Sequence, residues 1–433
     1  MLLLFAASGF SPPSSSVEYD ASFASFERWR QRFPPSASAA FYATEDGVAE
    51  RFRVWRGNLE VVTAHNAKAD QGLSTYRMAM NRLADLTNEE YRTLWLQPKR
   101  SMQRNGGGFS SVEPVPAAAP APESKNWVAS GVLPSIKDQG QCGSCWAFSA
   151  IAAMEGAYNL KHQQGGSAIS KSCNSTCGPK ETPCCSFSEQ EVADCTNKGK
   201  DTCDLGGEMH DGVMEVVQRL DGKLATESAY PYVSGTTKKL TACQPPTQPD
   251  EFVATGLSGY VNVTSGDEAA LLAASASHGI ISVGIDASSL GFQLYSSGIY
   301  VDKECGNNAS SLDHGVAVVG WGSGVPKPPG PLPPPPGPAN CEYNFKKAEC
   351  LGEKGCHWCT DKTGFSYCFN EQCPSGAAAA PERRWHAAMQ GKDFWYVRNS
   401  WAMDWGMGGY IAMARNRGNM CGIATDAIFA VVH

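Results

Sequence analysis

The chain has 433 residues, enough for two or three domains, and 42% of them are hydrophobic, so sizeable cores can form. Its formal net charge is only -7 and it has no block of lysines and arginines, which argues against nucleic acid or an anionic membrane surface as a partner. No apolar run approaches the roughly 18 residues that span a bilayer, so we expect no membrane segment.

Cysteine is the most informative residue type. The chain contains 17 cysteines, and the odd number leaves one thiol over if all the others pair. The opening run MLLLFAASG predicts a signal peptide over residues 1–19, although no basic residues precede it. Sequons at Asn174, Asn262 and Asn308 fit the same route. We therefore expect a secreted or lysosomal/vacuolar protein, with a zinc-rich intracellular protein as the alternative.

Composition divides the rest of the chain. Residues 20–100 carry apolar side chains such as Trp55 and Val62 at helical spacing, so we predict mainly helix there. The Gly/Pro/Ala stretch 101–123 cannot bury a core and is predicted to be an exposed linker, where proteases cut.

Residues 124–433 are predicted to be globular, with two interruptions. Helical patterning follows Cys145, and alternating runs such as GIISVGID and HGVAVVGWG come later, which predicts an α+β fold of two lobes. A cysteine-containing insertion occupies residues 165–186. A proline-rich spacer followed by a patch of six cysteines occupies residues 324–390 and is expected to interrupt the second lobe.

The stretch QGQCGSCWAFSA, residues 139–150, places Cys142 and Cys145 at C-x-x-C spacing. Such a pair can be half of a zinc site, a redox dithiol, a strained disulfide, or one structural cysteine beside a reactive one. The other pair at this spacing, Cys356 and Cys359, lies in the six-cysteine patch, and no predicted strand precedes the motif as a thioredoxin-like site requires. We therefore favour separate roles for the two cysteines and expect no metal and no cofactor.

Cys145 immediately precedes a helical run, where free N–H groups and the helix dipole favour a thiolate. A thiolate nucleophile needs a histidine, and that histidine needs a polar group to orient it. His314 is the best candidate because it opens an apolar strand and is followed by glycine. Asn399 lies between strand residues and two tryptophans that could shield an Asn–His bond. The alternative is that His314 is a structural residue of its strand.

Five motifs, QGQCGSCWAFS, SFSEQEVADC, CDLGG, SLDHGVAVVGWG and RNSWAMDWGMGGYI, resemble in this order the papain and cathepsin L family of cysteine proteases. The resemblance implies an α+β papain-like fold with a mainly helical left lobe, an antiparallel, β-barrel-like right lobe and a helical pro-domain. It implies Cys145 as nucleophile, His314 as general base and acid, and Asn399 as the orienting group. Gln139 and the Cys145 N–H would form the oxyanion hole, and Trp401 would cover the Asn399–His314 bond.

His314 and Asn399 lie further after Cys145 than the roughly 130 to 150 residues usual for the family. The two insertions account for the difference. Because closure entropy grows only logarithmically with loop length, we expect the catalytic geometry to be preserved.

The leader also resembles the family. AERFRVWRGNLEVVTAHN is similar to the pro-region helix known for its ERFNIN pattern, with matching positions at Arg51, Trp55, Asn58, Val62 and Asn66. The following YRMAMNRLADLTNEEY matches with Ala79 and Leu83 in place of the expected Gly and Phe. The resemblance implies a zymogen whose pro-region lies in the cleft until acid loosens it and the linker is cut. A helical hairpin of unrelated use is the alternative.

The resemblance also implies three disulfides, which pair Cys142 with Cys203, Cys195 with Cys243, and Cys305 with Cys421. Apart from Cys145, four of the remaining cysteines lie in the first insertion and six in the second; both numbers are even, so all of these can pair and Cys145 is left as the free thiol. Disulfides or a metal cluster remain open for the four cysteines of the first insertion, Cys173, Cys177, Cys184 and Cys185. The six-cysteine module is either a partner- or substrate-docking element or a protease-resistant decoration.

Gly206 and Gly207 are expected to present backbone to an extended substrate, although CDLGG has one residue more than the usual family spacing. The resemblance places four residues in the walls of the pocket for the second residue before the scissile bond: Met209, Ala287, Leu312 and Gly315. It places Asp426 at the floor, which predicts that Arg or Lys is accepted beside Leu and Phe. The alternative is a surface aspartate turned to solvent.

We therefore predict a cysteine endopeptidase made as a zymogen, a monomer that cleaves proteins and peptides and is inhibited by its own pro-region. An exopeptidase of the same family would need an obstruction near the cleft, and no histidine-bearing insertion lies between Cys203 and Cys243. The alternative from a different class is a non-catalytic binding protein on the same scaffold. The presence of Gln139 together with the Cys, His and Asn candidates argues against it.

Overall fold

The computed structural model describes residues 17–33, 39–99, 121–163, 185–196, 203–248, 251–330, 357–360, 366–369 and 380–433. Most of the predicted signal peptide and linker, the sequon at Asn174, and the cysteine pairing within the insertions lie outside the described residues. In the part of the chain that is described, no helix is both long enough and apolar enough to cross a bilayer.

The pro-region consists of three helices and a short strand, namely α1 (Val17–Arg32), α2 (Glu45–Asp70), β1 (Tyr76–Met78) and α3 (Asn88–Trp95), with a 3-10 turn at Ala39–Tyr42. Because α1 begins at Val17, its first turn overlaps the predicted signal peptide 1–19. Helices α1 and α2 pack through a buried aromatic cluster formed by Phe26, Trp29, Phe52 and Trp55. This cluster is the core of the pro-region.

Polar side chains from the ERFNIN-like positions attach α2 to the segment that follows it. Arg51 is 4% exposed and donates from both terminal nitrogens to the Glu90 carboxylate on α3, at 2.8 Å each. Asn58 donates to the carbonyl oxygens of Ala84 and Leu86. Glu90 also closes a capping box with Thr87 at the start of α3. The orientation of α3 is thereby fixed from two sides.

The left lobe is mainly helical, as predicted. It contains α4 (Cys145–Gln163), α5 (Glu189–Cys195), α6 (Met209–Gln218), α7 (Ser234–Thr237) and the antiparallel pair of strands β3 (Lys223–Ala225) and β4 (Phe252–Ala254). The run CWAFSAIAAM makes α4 apolar on nearly every side, so it is the central helix of the lobe. Its buried partners include Val192 on α5 and Val213 and Val216 on α6.

The right lobe is built on a sheet. Its strands are β2 (Lys125–Asn126), β5 (Leu257–Asn262), β6 (Ile281–Ile285), β7 (Tyr295–Tyr300), β8 (His314–Ser323), β11 (Asp393–Arg398), β12 (Tyr410–Ala414) and β13 (Ala427–Val432). Helices α8 (Glu268–His278) and α9 (Leu290–Gln293) and 3-10 turns at Ala309–Ser311 and Met420–Gly422 complete the lobe.

The strands pair in the order β1-β7-β12-β11-β8-β6-β13-β5, and β2 pairs with β8. Every neighbouring pair is antiparallel except β7 and β12, which run parallel. The prediction of an antiparallel right lobe is therefore confirmed apart from this pair. Long connections separate β7 from β12 in the chain, and such crossovers allow two strands to run in the same direction.

Strand register brings the two ends of the site together. In β8, His314 pairs with Ile285 of β6, and Ala317 pairs with Arg398, the last residue of β11. The residue after β11 therefore lies beside the start of β8. Helix α4 packs against β8, so the start of this helix faces the same point at the boundary between the lobes.

The second insertion leaves the right lobe after β8 and returns to it at β11. Its described parts are the hairpin of β9 (His357–Thr360) and β10 (Ser366–Phe369) and the helix α10 (Ala380–Met389). Trp385 and Met389 of α10 are 8% and 0% exposed and join the core cluster of the right lobe. The insertion therefore ends in a packed helix rather than in a loop.

Candidate active site

Cys145 is the first residue of α4 and is completely buried. It is the free cysteine among the described residues. The backbone N–H groups of Cys145 and Trp146 at the start of the helix act on its sulfur, together with the positive end of the helix dipole. This is a position that favours a thiolate once the pocket opens.

The loop before α4 is held by covalent and backbone contacts. A disulfide joins Cys142 to Cys203, and the Gly143 N–H donates to the Cys203 carbonyl oxygen at 2.8 Å. A Cβ added to Gly143 would lie 2.6 Å from that oxygen, so only glycine fits there. The loop therefore approaches the helix start in one conformation.

His314 and Asn399 form a buried pair. His314 Nε2 lies 2.8 Å from Asn399 Oδ1, which also accepts from the Ser400 N–H at 2.8 Å. Because this oxygen accepts twice, His314 carries its hydrogen on Nε2. Its Nδ1 is buried and has no hydrogen-bond partner among the described residues. The lone pair of Nδ1 is therefore available to a neighbouring thiol.

The start of β8 lies directly against the start of α4. A Cβ added to Gly315 would lie 3.0 Å from Trp146 Cα and 3.1 Å from the Cys145 carbonyl oxygen. His314 is therefore held next to the residue that opens α4. Trp401 stacks on the imidazole, with ring centroids 4.8 Å apart, and is itself fully buried. The indole excludes water from the His314–Asn399 hydrogen bond, and a hydrogen bond shielded from water is stronger than one exposed to it.

Burial keeps both candidate catalytic groups uncharged in this form of the protein. It raises the pKa of the Cys145 thiol to about 12, against the lowering effect of hydrogen bonds from backbone groups that include Gly315. It lowers the pKa of His314 to about 4, although the hydrogen bond to Asn399 raises it. The covered site therefore holds a neutral thiol beside a neutral imidazole, and the reactive ion pair requires the return of solvent.

Gln139 has an oriented carboxamide. Its Oε1 accepts from Ser400 Oγ at 2.5 Å and from Trp401 Nε1 at 3.2 Å, which directs Nε2 toward the site. There Nε2 donates to the Trp95 carbonyl oxygen at 3.3 Å and to the Cys142 carbonyl oxygen at 3.1 Å. A carbonyl group of the pro-region therefore lies against the Nε2 amide of Gln139.

The pro-region continues through the cleft after Trp95. The Gln97 N–H donates to the Asp313 carbonyl oxygen at 3.0 Å, and the Gly207 N–H donates to Gln97 Oε1 at 3.1 Å. A Cβ on Gly206, which has φ of +68°, would lie 2.3 Å from that same oxygen. The two glycines thus leave room for the pro-region chain that lies against their backbone.

The residues predicted to form the specificity pocket come from both lobes. Met209 begins α6 and belongs to the left-lobe core, whereas Ala287 and Leu312 are fully buried on the right-lobe side. Gly315 follows His314 on β8. Asp426 is 8% exposed, so it is not turned to solvent in this form.

Three polar residues at the cleft are not found from the sequence patterns. Lys99 of the pro-region places its Nζ 3.1 Å from Asp286 Oδ2 and 3.8 Å from Asp313 Oδ2. Both carboxylates are almost fully buried, and burial raises the pKa of Asp313 to about 7. Their sequence signal is weak: Asp313 only adjoins His314, and Asp286 adjoins the predicted pocket residue Ala287.

The structure contains the disulfides Cys142–Cys203, Cys195–Cys243 and Cys305–Cys421, the same three pairs that the resemblance implies. Cys185 is also disulfide-bonded. Within the described ranges, no group of three or more His, Cys, Asp or Glu side chains is arranged to hold a metal ion.

Comparison with known proteins agrees with this geometry. Residues 121–328 and 383–431 match the family model of the papain family cysteine protease, and residues 17–91 match the cathepsin propeptide inhibitor domain. The chain is 32% identical over 391 residues to digestive cysteine proteinase 1 of Homarus americanus, and the alignment covers 88% of this chain and 89% of that protein. It is 32% identical over 390 residues to cysteine proteinase 5 of Dictyostelium discoideum, covering 90% and 88%.

Among solved structures, the digestive procathepsin L 3 of Tenebrio molitor larval midgut superimposes with a TM-score of 0.59 at 27% identity, over 93% of this chain and 99% of that one. The proform of the ragweed pollen protease Amb a 11 superimposes with a TM-score of 0.63 at 25% identity, over 96% and 95%. The family match is interrupted between residues 328 and 383, within the predicted insertion 324–390, and it resumes inside α10, before Trp385.

Proposed function

Since the chain belongs to the papain family of cysteine proteases and carries the inhibitory propeptide domain of cathepsins, we propose that it is an endopeptidase with Cys145 as its nucleophile. One observation carries the proposal. The imidazole of His314 is fixed by Asn399, and its free Nδ1 lies at the helix start that presents the unpaired thiol. A binding protein without catalysis would have no use for this arrangement.

Acylation follows from these positions. His314 Nδ1 takes the proton of Cys145 Sγ, and the thiolate attacks the carbonyl carbon of the scissile peptide bond. The oxyanion accepts from Gln139 Nε2 and from the Cys145 N–H; each such donor lowers the barrier by about 3 kcal/mol. The imidazolium then returns its proton to the leaving amine, the C–N bond breaks, and a thioester remains on Cys145.

Deacylation uses the same groups in reverse. His314 Nδ1 takes a proton from water, and the resulting hydroxide attacks the thioester carbon. The oxyanion collapses, the C–S bond breaks, and Cys145 leaves as a thiolate beside the imidazolium. The net reaction consumes one water and releases an amine and a carboxylic acid. Asn399 keeps the imidazole ring in one orientation through both steps.

The path of the pro-region supports cleavage within a chain rather than at its end. The pro-region passes Gln139 at Trp95 and continues past Gly207 to Lys99, so polypeptide extends on both sides of the catalytic groups. A substrate that extends on both sides fits the same groove. An exopeptidase of this family would need one side closed.

The chain is made as a zymogen, and its own pro-region is the inhibitor. We place the activating cut in the linker 101–123. The peptidase side is anchored to the sheet from its start, because Trp321 Nε1 donates to the Pro122 carbonyl oxygen at 2.9 Å and β2 pairs with β8. The pro-region side is anchored in the cleft up to Lys99.

For specificity, we propose that Asp426 lets Arg or Lys enter the pocket beside Leu and Phe. The proposal comes from the family resemblance, and it fits the low exposure of Asp426, because a carboxylate shielded from water is stabilised by a nearby cation. Peptide profiling of the wild type against Asp426→Ala tests it. A selective loss of Arg and Lys cleavage with unchanged Leu cleavage is expected, and an unchanged Arg preference would remove the idea.

We further propose that the enzyme works as a monomer in a secreted or lysosomal/vacuolar compartment. Three disulfides among the described residues support an oxidising route, since such bonds are rare in reducing compartments. Immunolocalisation with size-exclusion chromatography tests both points.

The function is tested by labelling the activated chain with a thiol-reactive epoxide and mapping the label. Modification of Cys145, with peptide hydrolysis lost in parallel and absent in Cys145→Ser, is expected. Labelling of another residue, or hydrolysis retained in Cys145→Ser, would contradict the proposed nucleophile. Asp426→Ala is a suitable control, because it should be labelled like the wild type.

A further inference from the structure

The helix α10, which ends the second insertion, packs against the pro-region. The ring of Trp385 lies under Arg77 of β1, with the guanidinium carbon 4.7 Å from the ring centroid. Arg77 is at the same time paired with Asp70 at the end of α2. A cation held over an indole face in a largely desolvated position is a specific attraction rather than a chance approach.

Two glycines allow this close fit. Gly72, just after α2, has φ of +77°, and a Cβ there would lie 3.2 Å from the Arg384 carbonyl oxygen. Gly298 of β7 has φ of +84°, and a Cβ there would lie 2.8 Å from the Trp385 ring and 2.3 Å from the Thr75 carbonyl oxygen. The backbones of the pro-region, β7 and α10 therefore meet at contact distance around one indole ring.

The contact is also buried. Trp385 is 8% exposed and Met389 is 0% exposed, and both share an apolar cluster with Ala69 of α2. Release of the pro-region removes Ala69, Gly72 and Arg77 from this face together. The side of α10 that these residues cover would then be exposed to solvent, so the packing of this helix is complete only in the inhibited form.

This contact is separate from the contacts in the cleft. It adjoins the pairing of β1 with β7, where the Ile299 N–H donates to the Thr75 carbonyl oxygen at 2.8 Å. The cleft contacts involve Trp95 and the residues after it. Between the two, the pro-region also meets the peptidase through Asn81 with Gln293 and Arg82 with Asp138. The α10 contact is therefore one of several that hold the pro-region on the peptidase, and it lies at the end far from the cleft.

We propose that α10 is a docking surface for residues 69–78 of the pro-region, through which the second insertion strengthens autoinhibition. This inference rests on the proposed function as a zymogen. When several contacts belong to one tethered inhibitor, loss of one leaves the others in place, so release requires all of them to open. Cutting the linker alone therefore leaves the inhibitor docked, and the α10 contact slows the appearance of activity.

The test uses the full-length chain. Activity is followed with a small fluorogenic peptide after a shift from neutral to acid pH, for wild type, Arg77→Gln, Trp385→Ala and the double variant. Each single variant should activate on the order of tenfold faster, the scale of one desolvated cation–π contact. The double variant should activate less fast than the product of the two single effects predicts, because both changes remove the same cation–π contact.

Arg53→Gln is the matched control, since Arg53 forms an ion pair on α2 with its side chain 68% exposed, and it should activate at the wild-type rate. Arg77 lies in the pro-region, so Arg77→Gln leaves the mature enzyme with its natural sequence. This variant therefore tests the proposal even if Trp385→Ala folds poorly. Mature Trp385→Ala should keep wild-type kcat/KM. Wild-type activation kinetics in Arg77→Gln, or rate increases that multiply in the double variant, would overturn the proposal. Failure of every chain to hydrolyse the peptide would instead refute the proposed function.

Discussion

The two lobes hold their parts of the candidate catalytic set in different ways. In the right lobe, His314 and Asn399 are positioned by the register of β8 against its neighbours, and Trp401 seals the bond between them. In the left lobe, Cys145 and Gln139 depend on an irregular loop. The sheet fixes its residues through many repeated backbone bonds, whereas the loop relies on a few individual contacts.

The loop is supported by a buried charge cluster as well as by a disulfide. Lys137 lies close to three carboxylates, with its Nζ 3.1 Å from Glu155, 2.7 Å from Glu189 and 3.7 Å from Glu227. The carboxylates hold the pKa of Lys137 well above its usual range, despite its burial. The loop therefore contains a charge that cannot be removed without leaving buried partners unpaired.

Replacement of the right-lobe base should have the largest effect. We expect His314→Gln to lower kcat by about 10⁴-fold, because a neutral amide cannot take the thiol proton. Steady-state kinetics of the activated enzyme measure it. His278→Gln removes another histidine from the same lobe and should leave kcat near the wild-type value. A His314→Gln enzyme that retained a tenth of its activity would show that the imidazole is not the base.

Removal of the left-lobe oxyanion donor should cost less. We expect Gln139→Ala to lower kcat by about 10²- to 10³-fold with little change in KM, because the bond to Nε2 strengthens in the transition state. Gln141→Ala, two residues away in the same loop, is the matched control. Equal losses in kcat for both glutamines would indicate a general disturbance of the loop rather than loss of a donor.

The charge cluster under the loop should affect stability more than chemistry. We expect Lys137→Met to lower the free energy of unfolding by about 3 to 5 kcal/mol, because it leaves buried carboxylates without their cation. Urea unfolding measures this loss. Lys223→Met breaks a pair in which Asp221 is 90% exposed, and it should change stability by less than about 0.5 kcal/mol. Similar losses of unfolding free energy in both variants would show that the buried cluster stabilises the fold no more than an exposed ion pair does.

The pH response of docking depends on the right-lobe histidine. The pKa of His314 is lowered to about 4 in the covered site, so between its ordinary value near 6.5 and 4 the covered form binds fewer protons than the open form. Acid therefore destabilises the covered form, by about 3 kcal/mol for an open-form imidazole at its ordinary pKa. Asp313 acts in the opposite sense, because its raised pKa of about 7 favours the covered form as pH falls.

His314→Gln in a Cys145→Ser chain should therefore keep the pro-region docked to lower pH than Cys145→Ser alone. Hydrogen exchange of α3 amides as a function of pH measures this difference. Identical pH profiles would mean that the histidine does not contribute to acid release.

Local motifs were sufficient to predict much of this molecule. The fold class and the helical pro-region follow from patterning and family motifs, and the motifs name the residues that the structure brings together around Cys145. The contact of Ser400 with Gln139, and that of Lys99 with Asp286, join residues far apart in the chain, and no local pattern encodes such contacts. Helix α10 lies within a segment whose cysteines and prolines mask its pattern, so its packing on the pro-region was not foreseen.

The central claim is that Cys145 and His314, supplied by different lobes, form one catalytic pair that the pro-region keeps uncharged. Alkylation of Cys145 by iodoacetamide at pH 6, followed by peptide mass mapping in the uncut and the activated chain, tests it most directly. Cys145 should react about 100-fold or more faster after activation, because only then is it a thiolate, and His314→Gln should abolish the gain. Equal rates in the two forms, or a gain that survives loss of the histidine, would contradict it.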